Sequence, residues 1–253
     1  MFGRRKKGSA AEDAAGEAEQ VVDDVDTEAD ETDRERVRLE PEPRPDGPWD
    51  DSEVRDPAEG RVDLGGILVP GVDGMELRVE VAGDAIVAAT VVLKDSAIQL
   101  QAFAAPKREG IWGEVREEIA SGITQQGGVI DEVEGPLGWE LRAQVPVQLP
   151  DGTGGFQVVR FVGVDGPRWF LRGVISGQGA VQPQAAGLLE QIFRDTVVVR
   201  GEGPMAPRDP IVLKLPNDAQ MVPEGVQQEE QAGSRFSGGM GQLQRGPEIT
   251  EVR

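Results

Sequence analysis

A period of two constrains this chain more than any other feature. Leu77, Val79 and Val81 alternate with Glu76, Arg78 and Glu80, and Trp139, Leu141, Ala143 and Val145 alternate with Glu140, Arg142 and Gln144. Alternation of this kind marks strands with one buried and one wet face, the habit of antiparallel sheets. The turn chemistry of Val69–Pro70–Gly71–Val72–Asp73–Gly74 between runs 61–69 and 75–82 predicts a hairpin. Ile86 to Leu93 is apolar on both faces, as in a central strand. Strand 97–104 then completes a predicted four-strand meander.

Ile111, Val115, Ile119 and Ile123 recur every four residues beside Trp112, and Gly127–Gly128 follows them. That spacing predicts an amphipathic helix. Strands at 129–134, 139–145, 156–163 and 168–176 come next, with a turn at Asp165–Gly166 that sets Phe161 opposite Phe170. A short helix over 184–195 carries Leu188, Leu189, Ile192 and Phe193, and Val197–Val199 closes the run. Separated helices among antiparallel strands predict the α+β class: β-meanders with two helices packed on the sheet.

The ends read differently. The net charge is −20, and residues 1–60 hold twenty acids against nine bases. Eleven acids and no base fall between Ser9 and Asp33, and five prolines follow by Pro57. High charge without apolar bulk cannot offset chain entropy. We therefore expect a disordered acidic, proline-rich arm over 1–60, one α+β domain over 61–200, an extended docking segment over 201–216 and a disordered Gln/Gly-rich tail over 217–253. Trp49 is the exception in the arm, and it either docks on the chain's own domain or anchors a partner.

Composition removes much chemistry. With no histidine or cysteine, imidazole catalysis, thiol nucleophiles, disulfides and zinc thiolates are absent. The acidic charge argues against a general nucleic-acid binder. No apolar run approaches the ~20 residues that span a bilayer. The basic start Arg4, Arg5, Lys6 and Lys7 lacks the apolar stretch of a secretion signal. It is either a solvated terminus or a weak contact for anionic membrane or nucleic acid. Gly152 to Gly155 reads as a hairpin tip, and Gly177 to Ala180 as an ordinary loop before a helix. No catalytic residue, metal site or cofactor is expected. Pro167 to Arg172 is the densest stretch: Arg168 and Arg172 flank Phe170 on one predicted face, with Trp169 between, either to hold an anion or as a salt-bridged rim on core.

The blocks Met1–Phe2–Gly3–Arg4–Arg5–Lys6–Lys7, Gly47–Pro48–Trp49–Asp50 and Gly163–Val164–Asp165–Gly166–Pro167–Arg168–Trp169–Phe170–Leu171–Arg172, in that order around an acidic linker, resemble the actinobacterial family of the domain of unknown function 3710. The resemblance spans about residues 1–215. It implies a cytoplasmic protein and carries over no catalytic residues. The leading expectation is a non-catalytic interaction or regulatory adaptor module with an unidentified protein partner. The alternatives are an anion- or nucleotide-binding protein or enzyme using Arg168 and Arg172, and surface contact through Arg4 to Lys7. Self-association through an exposed sheet edge is a further expectation.

Overall fold

The computed structural model describes residues 43–148, 152–215 and 249–250. The elements run β1 (Trp49–Asp50), β2 (Arg61–Asp63), β3 (Ile67–Pro70), β4 (Glu76–Ala82), β5 (Ala85–Leu93), β6 (Ser96–Ala104), α1 (Trp112–Gln125), β7 (Val129–Gly135), β8 (Gly138–Gln148), β9 (Gly154–Gly166), β10 (Trp169–Gly177), α2 (Gln178–Val181), α3 (Pro183–Asp195), β11 (Val197–Val198) and β12 (Ile249–Thr250). Eight strands form one antiparallel sheet in the order β12-β4-β5-β6-β10-β9-β8-β7. A smaller sheet has the order β1-β11-β3-β2. The α+β class is the one the sequence predicts, with α2 as a third, single-turn helix.

Each face of the large sheet has its own apolar core. On one face, Trp169, Leu171 and Ile175 of β10 join Leu189, Ile192 and Phe193 of α3 and Ile67 and Val69 of β3. On the other, Phe161, Phe170 and Val174 pack under Ile111, Trp112, Val115, Ile119 and Ile123 of α1. The four-residue spacing of those isoleucines is therefore the buried stripe of α1. In α3, Leu189, Ile192 and Phe193 are buried but Leu188 is exposed, one position off the stripe.

Three expectations need correction. First, runs 61–69 and 75–82 do not pair. β3 pairs with β2 and β11 in the small sheet, while β4 pairs with β5 and β12. Ile67, Leu68 and Val69 are all buried, so β3 is covered on both faces, unlike the alternating β4. Second, Phe161 faces Val174 and Phe170 faces Asp165. The turn falls at Pro167–Arg168, two residues later than expected, and Arg168 takes the positive φ. The register thereby shifts by four residues, an even number that preserves the buried faces, so both phenylalanines stay in the core. Third, the folded part begins before Arg61. Residues 43–60 carry β1, a 3₁₀ turn at Asp51–Glu53 and contacts to α3 and β10. The rest of the expected acidic arm lies outside the described residues, as does the tail except Ile249–Thr250, whose backbone pairs with β4.

The segment expected to dock does so on its own chain. Beyond Leu100, β6 parts from β5 and residues 208–214 enter the split. Ile211 N–H donates to Ala102 O at 2.8 Å, Leu213 N–H to Ile86 O at 2.8 Å and Lys214 N–H to Leu64 O at 2.7 Å. Ile211 and Leu213 are buried in the core shared with α3. Arg208 clamps the segment's start to α1 through Glu114 and Glu118, at 2.5 and 2.6 Å.

Candidate functional site

The Gly163–Arg172 block runs from the end of β9 into β10, and Asp165, Trp169, Phe170 and Arg172 each have a side-chain partner in the fold. Asp165 caps α1 from outside the helix, accepting from Ile111 N–H at 2.8 Å and Trp112 N–H at 3.2 Å. These are orphan donors of a helix start, and a carboxylate there also meets the positive end of the dipole. Gly163 makes room for Trp112, since a Cβ would sit 2.5 Å from its ring. Phe170 stacks on Trp112, with centroids 5.5 Å apart, and on Phe103 at 6.0 Å. Trp169 is fully buried on the opposite face and donates its indole N–H to Asp50 at 2.8 Å.

That last bond joins the two blocks that stand far apart in sequence. Trp49 lies half-buried in β1, paired in parallel with Val197, and its N–H donates to Thr196 O at 3.0 Å. Arg44 lies 5.2 Å from the Trp169 ring centroid, donates to Pro48 O at 2.7 Å and grips Glu53 through two hydrogen bonds of 2.8 and 2.6 Å. Asp50 and Glu53 form a reciprocal capping box on the 3₁₀ turn. Residues 44–53 are thus a clasp over Trp169.

Arg168 and Arg172 are not brought together. Arg168 stands exposed in the turn, and its backbone carbonyl accepts from Ala105 N–H. Arg172 is buried on the α1 side beside Gln101, to whose side-chain oxygen it donates, with its guanidinium 5.7 Å from the Phe103 centroid. Burial lowers its pKa to about 10, against a partial rise from the Glu80 charge. Its Nε has no hydrogen-bond partner among the described residues. Arg4, Arg5, Lys6 and Lys7 lie outside the described residues.

The most highly charged buried site escaped the sequence reading. Glu140, completely buried on β8, accepts from Arg160 of β9 at 3.1 and 2.7 Å, from Arg142 at 2.8 Å, and shares Arg160 with Glu190 of α3 at 2.8 Å. Burial disfavours the Arg160 charge, but the hydrogen bonds from Glu140 and Glu190 outweigh it and raise the pKa above the ordinary arginine value. Arg116 of α1 forms a second site, 5.5 Å from the Trp112 centroid and 5.9 Å from that of Trp139, with Glu132 at 2.9 Å. Among the described residues no cluster of three carboxylates has the geometry for a metal ion, and no helix is long and apolar enough to cross a membrane.

The clasp carries a pH dependence. Hydrogen bonds from Arg44 hold the Glu53 carboxyl below its ordinary value near 4.5, against burial, which raises it. A depressed folded-state pKa stabilises the fold above the unfolded value, and that contribution is lost as pH falls through the folded one. Acid titration followed by tryptophan fluorescence should show clasp loosening below about pH 4.5. Glu53→Gln should weaken the clasp at pH 7 and remove this part of the profile; coincident wild-type and variant profiles would disprove the coupling.

These features define a class: an α+β domain on one long antiparallel sheet, with an N-terminal clasp on a buried tryptophan and a C-terminal segment sewn into a split in the sheet. The chain belongs to a family of proteins of unknown function, DUF3710, whose family model matches residues 47–221. The match starts at Gly47, the first residue of the clasp's Gly–Pro–Trp–Asp block, so the basic start lies outside it. A search of curated proteins finds no match to this chain.

Proposed function

We propose that this chain is a non-catalytic protein-interaction module of regulatory or adaptor type, acting in the cytoplasm. One observation carries the reading: the sheet face beyond α3 displays apolar side chains to solvent. Phe156 is 62% exposed and Val129 57% exposed. The ladder places both on the side that carries Glu140 and Arg160, with Pro146 and Val158 beside them. Exposed apolar groups on an open sheet face favour association. Meanwhile Trp169 and Arg172, which looked chemical in the sequence, are buried and hydrogen-bonded within the domain, to Asp50 and Gln101. The test is affinity capture from native cytoplasm on the full chain, compared with Phe156→Asp/Val129→Asp and with deletion of residues 1–8. A stoichiometric partner lost on the double variant supports the module. A partner lost on the deletion but kept by the double variant, and released from the full chain by high salt, would move binding to Arg4–Lys7.

A second reading keeps one support. The unpartnered Nε of buried Arg172 favours an anion-binding role, though without Arg168. If capture fails, thermal shifts by nucleotides or inorganic phosphate that vanish in Arg172→Lys would favour it.

A further inference from the structure

We infer that the free edge of β7 receives an extended basic segment of a partner protein as a ninth, antiparallel strand; this rests on the interaction reading above and names its surface. Elsewhere the chain extends or fills its sheets with its own extended pieces, although the three-residue β2 also stays at an edge. Trp49–Asp50 adds to β11, Ile249–Thr250 adds to β4, and residues 208–214 fill the split between β5 and β6. At the far end of the large sheet β7 pairs only with β8 among the described residues. All seven residues from Val129 to Gly135 are exposed or half-exposed. An edge of this length presents a row of backbone donors and acceptors to any incoming strand.

The side chains select the occupant. Register places Val129, Asp131 and Val133 on the α3 side, opposite Gln144, Arg142 and Glu140. Ile130, Glu132 and Glu134 lie on the α1 side, opposite Ala143, Leu141 and Trp139. Glu132 is engaged by Arg116, which leaves Asp131 and Glu134 as exposed acids on the edge. Like charges directly opposed across a ladder are unfavourable. A second copy is therefore a poor occupant: antiparallel self-pairing centred on Asp131 or Glu132 sets that residue against itself, centring on Val133 sets Glu132 against Glu134, and centring on Ile130 pairs only Val129–Asp131 of the strand. The complementary strand instead places bases opposite Asp131 and Glu134 and apolar residues opposite Val129, Ile130 and Val133. Antiparallel entry continues the pairing of the whole sheet.

Written antiparallel from Gly135, that complement is the peptide TKVTKVVT. The test measures fluorescence anisotropy of this peptide, labelled and blocked at both ends, with the full chain in 0.15 M salt. Two further versions carry N-methyl groups on alternate amides, one on each side of the peptide strand. Binding should be weakened about tenfold by Asp131→Lys/Glu134→Lys and less by Asp131→Asn/Glu134→Gln. It should also be lost with one N-methylated version and kept with the other, because only one side of an added strand meets β7. No binding of the parent peptide, equal affinity for the charge-reversed chain, or equal behaviour of the two methylated peptides overturns the proposal. An unchanged melting temperature in the neutral variant excludes misfolding as the cause of a loss. A captured partner that is indifferent to the charge reversal leaves the module reading standing and sinks the edge.

Discussion

Replacing Arg160 by alanine should cost about 3–5 kcal/mol of stability, a large share of the 5–15 kcal/mol typical of a domain. The reason is what remains. Glu140 is wholly enclosed between β8 and α3, and Glu190 reaches the same guanidinium from the helix. Without Arg160, Glu190 loses this ion pair, and among the described residues Glu140 keeps only Arg142, whose side chain is half in water. Each buried carboxylate must then protonate or draw in water. Urea unfolding followed by circular dichroism measures the loss. The triple variant Arg160→Met/Glu140→Leu/Glu190→Leu should recover most of it, because apolar groups of similar volume remove the desolvation cost together with the pairing. A loss below ~1 kcal/mol in Arg160→Ala would mean that water already reaches the site.

Gly166→Ala should be comparably damaging, at about 3–5 kcal/mol, from overpacking combined with a broken charge-assisted hydrogen bond. A Cβ at this position would sit 2.1 Å from the Trp169 indole, which lies directly across the ladder and is fully buried. The ring must move, and its bond to Asp50 and its contact with Arg44 move with it. Damage should therefore appear at a distance, as rapid hydrogen exchange at the Trp49 amide, which otherwise donates to Thr196. Trp169→Phe separates the two contributions: it deletes the bond to Asp50 without adding atoms, and should free the clasp at a smaller cost in global stability. If Gly166→Ala melts like wild type with Trp49 still protected, Trp169 is not the post that holds the clasp.

Much of this architecture was legible because a strand or helix writes its period into the sequence. The isoleucine stripe of α1 and the alternation of β4 and β8 report which side chains share a face, a matter of local backbone geometry. Loop chemistry also marked nearly every reversal, but a reversal does not name the strand that will lie alongside. Ile67–Val69 looked like half of a hairpin with 75–82, yet both its faces are covered and it sits in another sheet. The shift of Phe161 and Phe170 came from placing the turn at Asp165–Gly166, when Asp165 was needed as the cap of a helix more than fifty residues earlier.

The candidate site was legible as a set of unusual residues and illegible as a set of roles. Gly–Pro–Trp–Asp and Gly–Pro–Arg–Trp–Phe–Leu–Arg stood out, but nothing local says that Asp50 meets Trp169 across 119 positions. Glu140 fell on the polar side of an alternating strand, and alternation gives the face and not what covers it. By itself the sequence determined the main element types, the uneven charge and the absence of imidazole and thiol chemistry, all properties of neighbouring residues or of composition. Tertiary structure alone decided which distant strands pair, which polar faces became buried, and that β7 pairs on one side only among the described residues. Those depend on how distant segments compete for the same sheet edges and faces, which no local window contains.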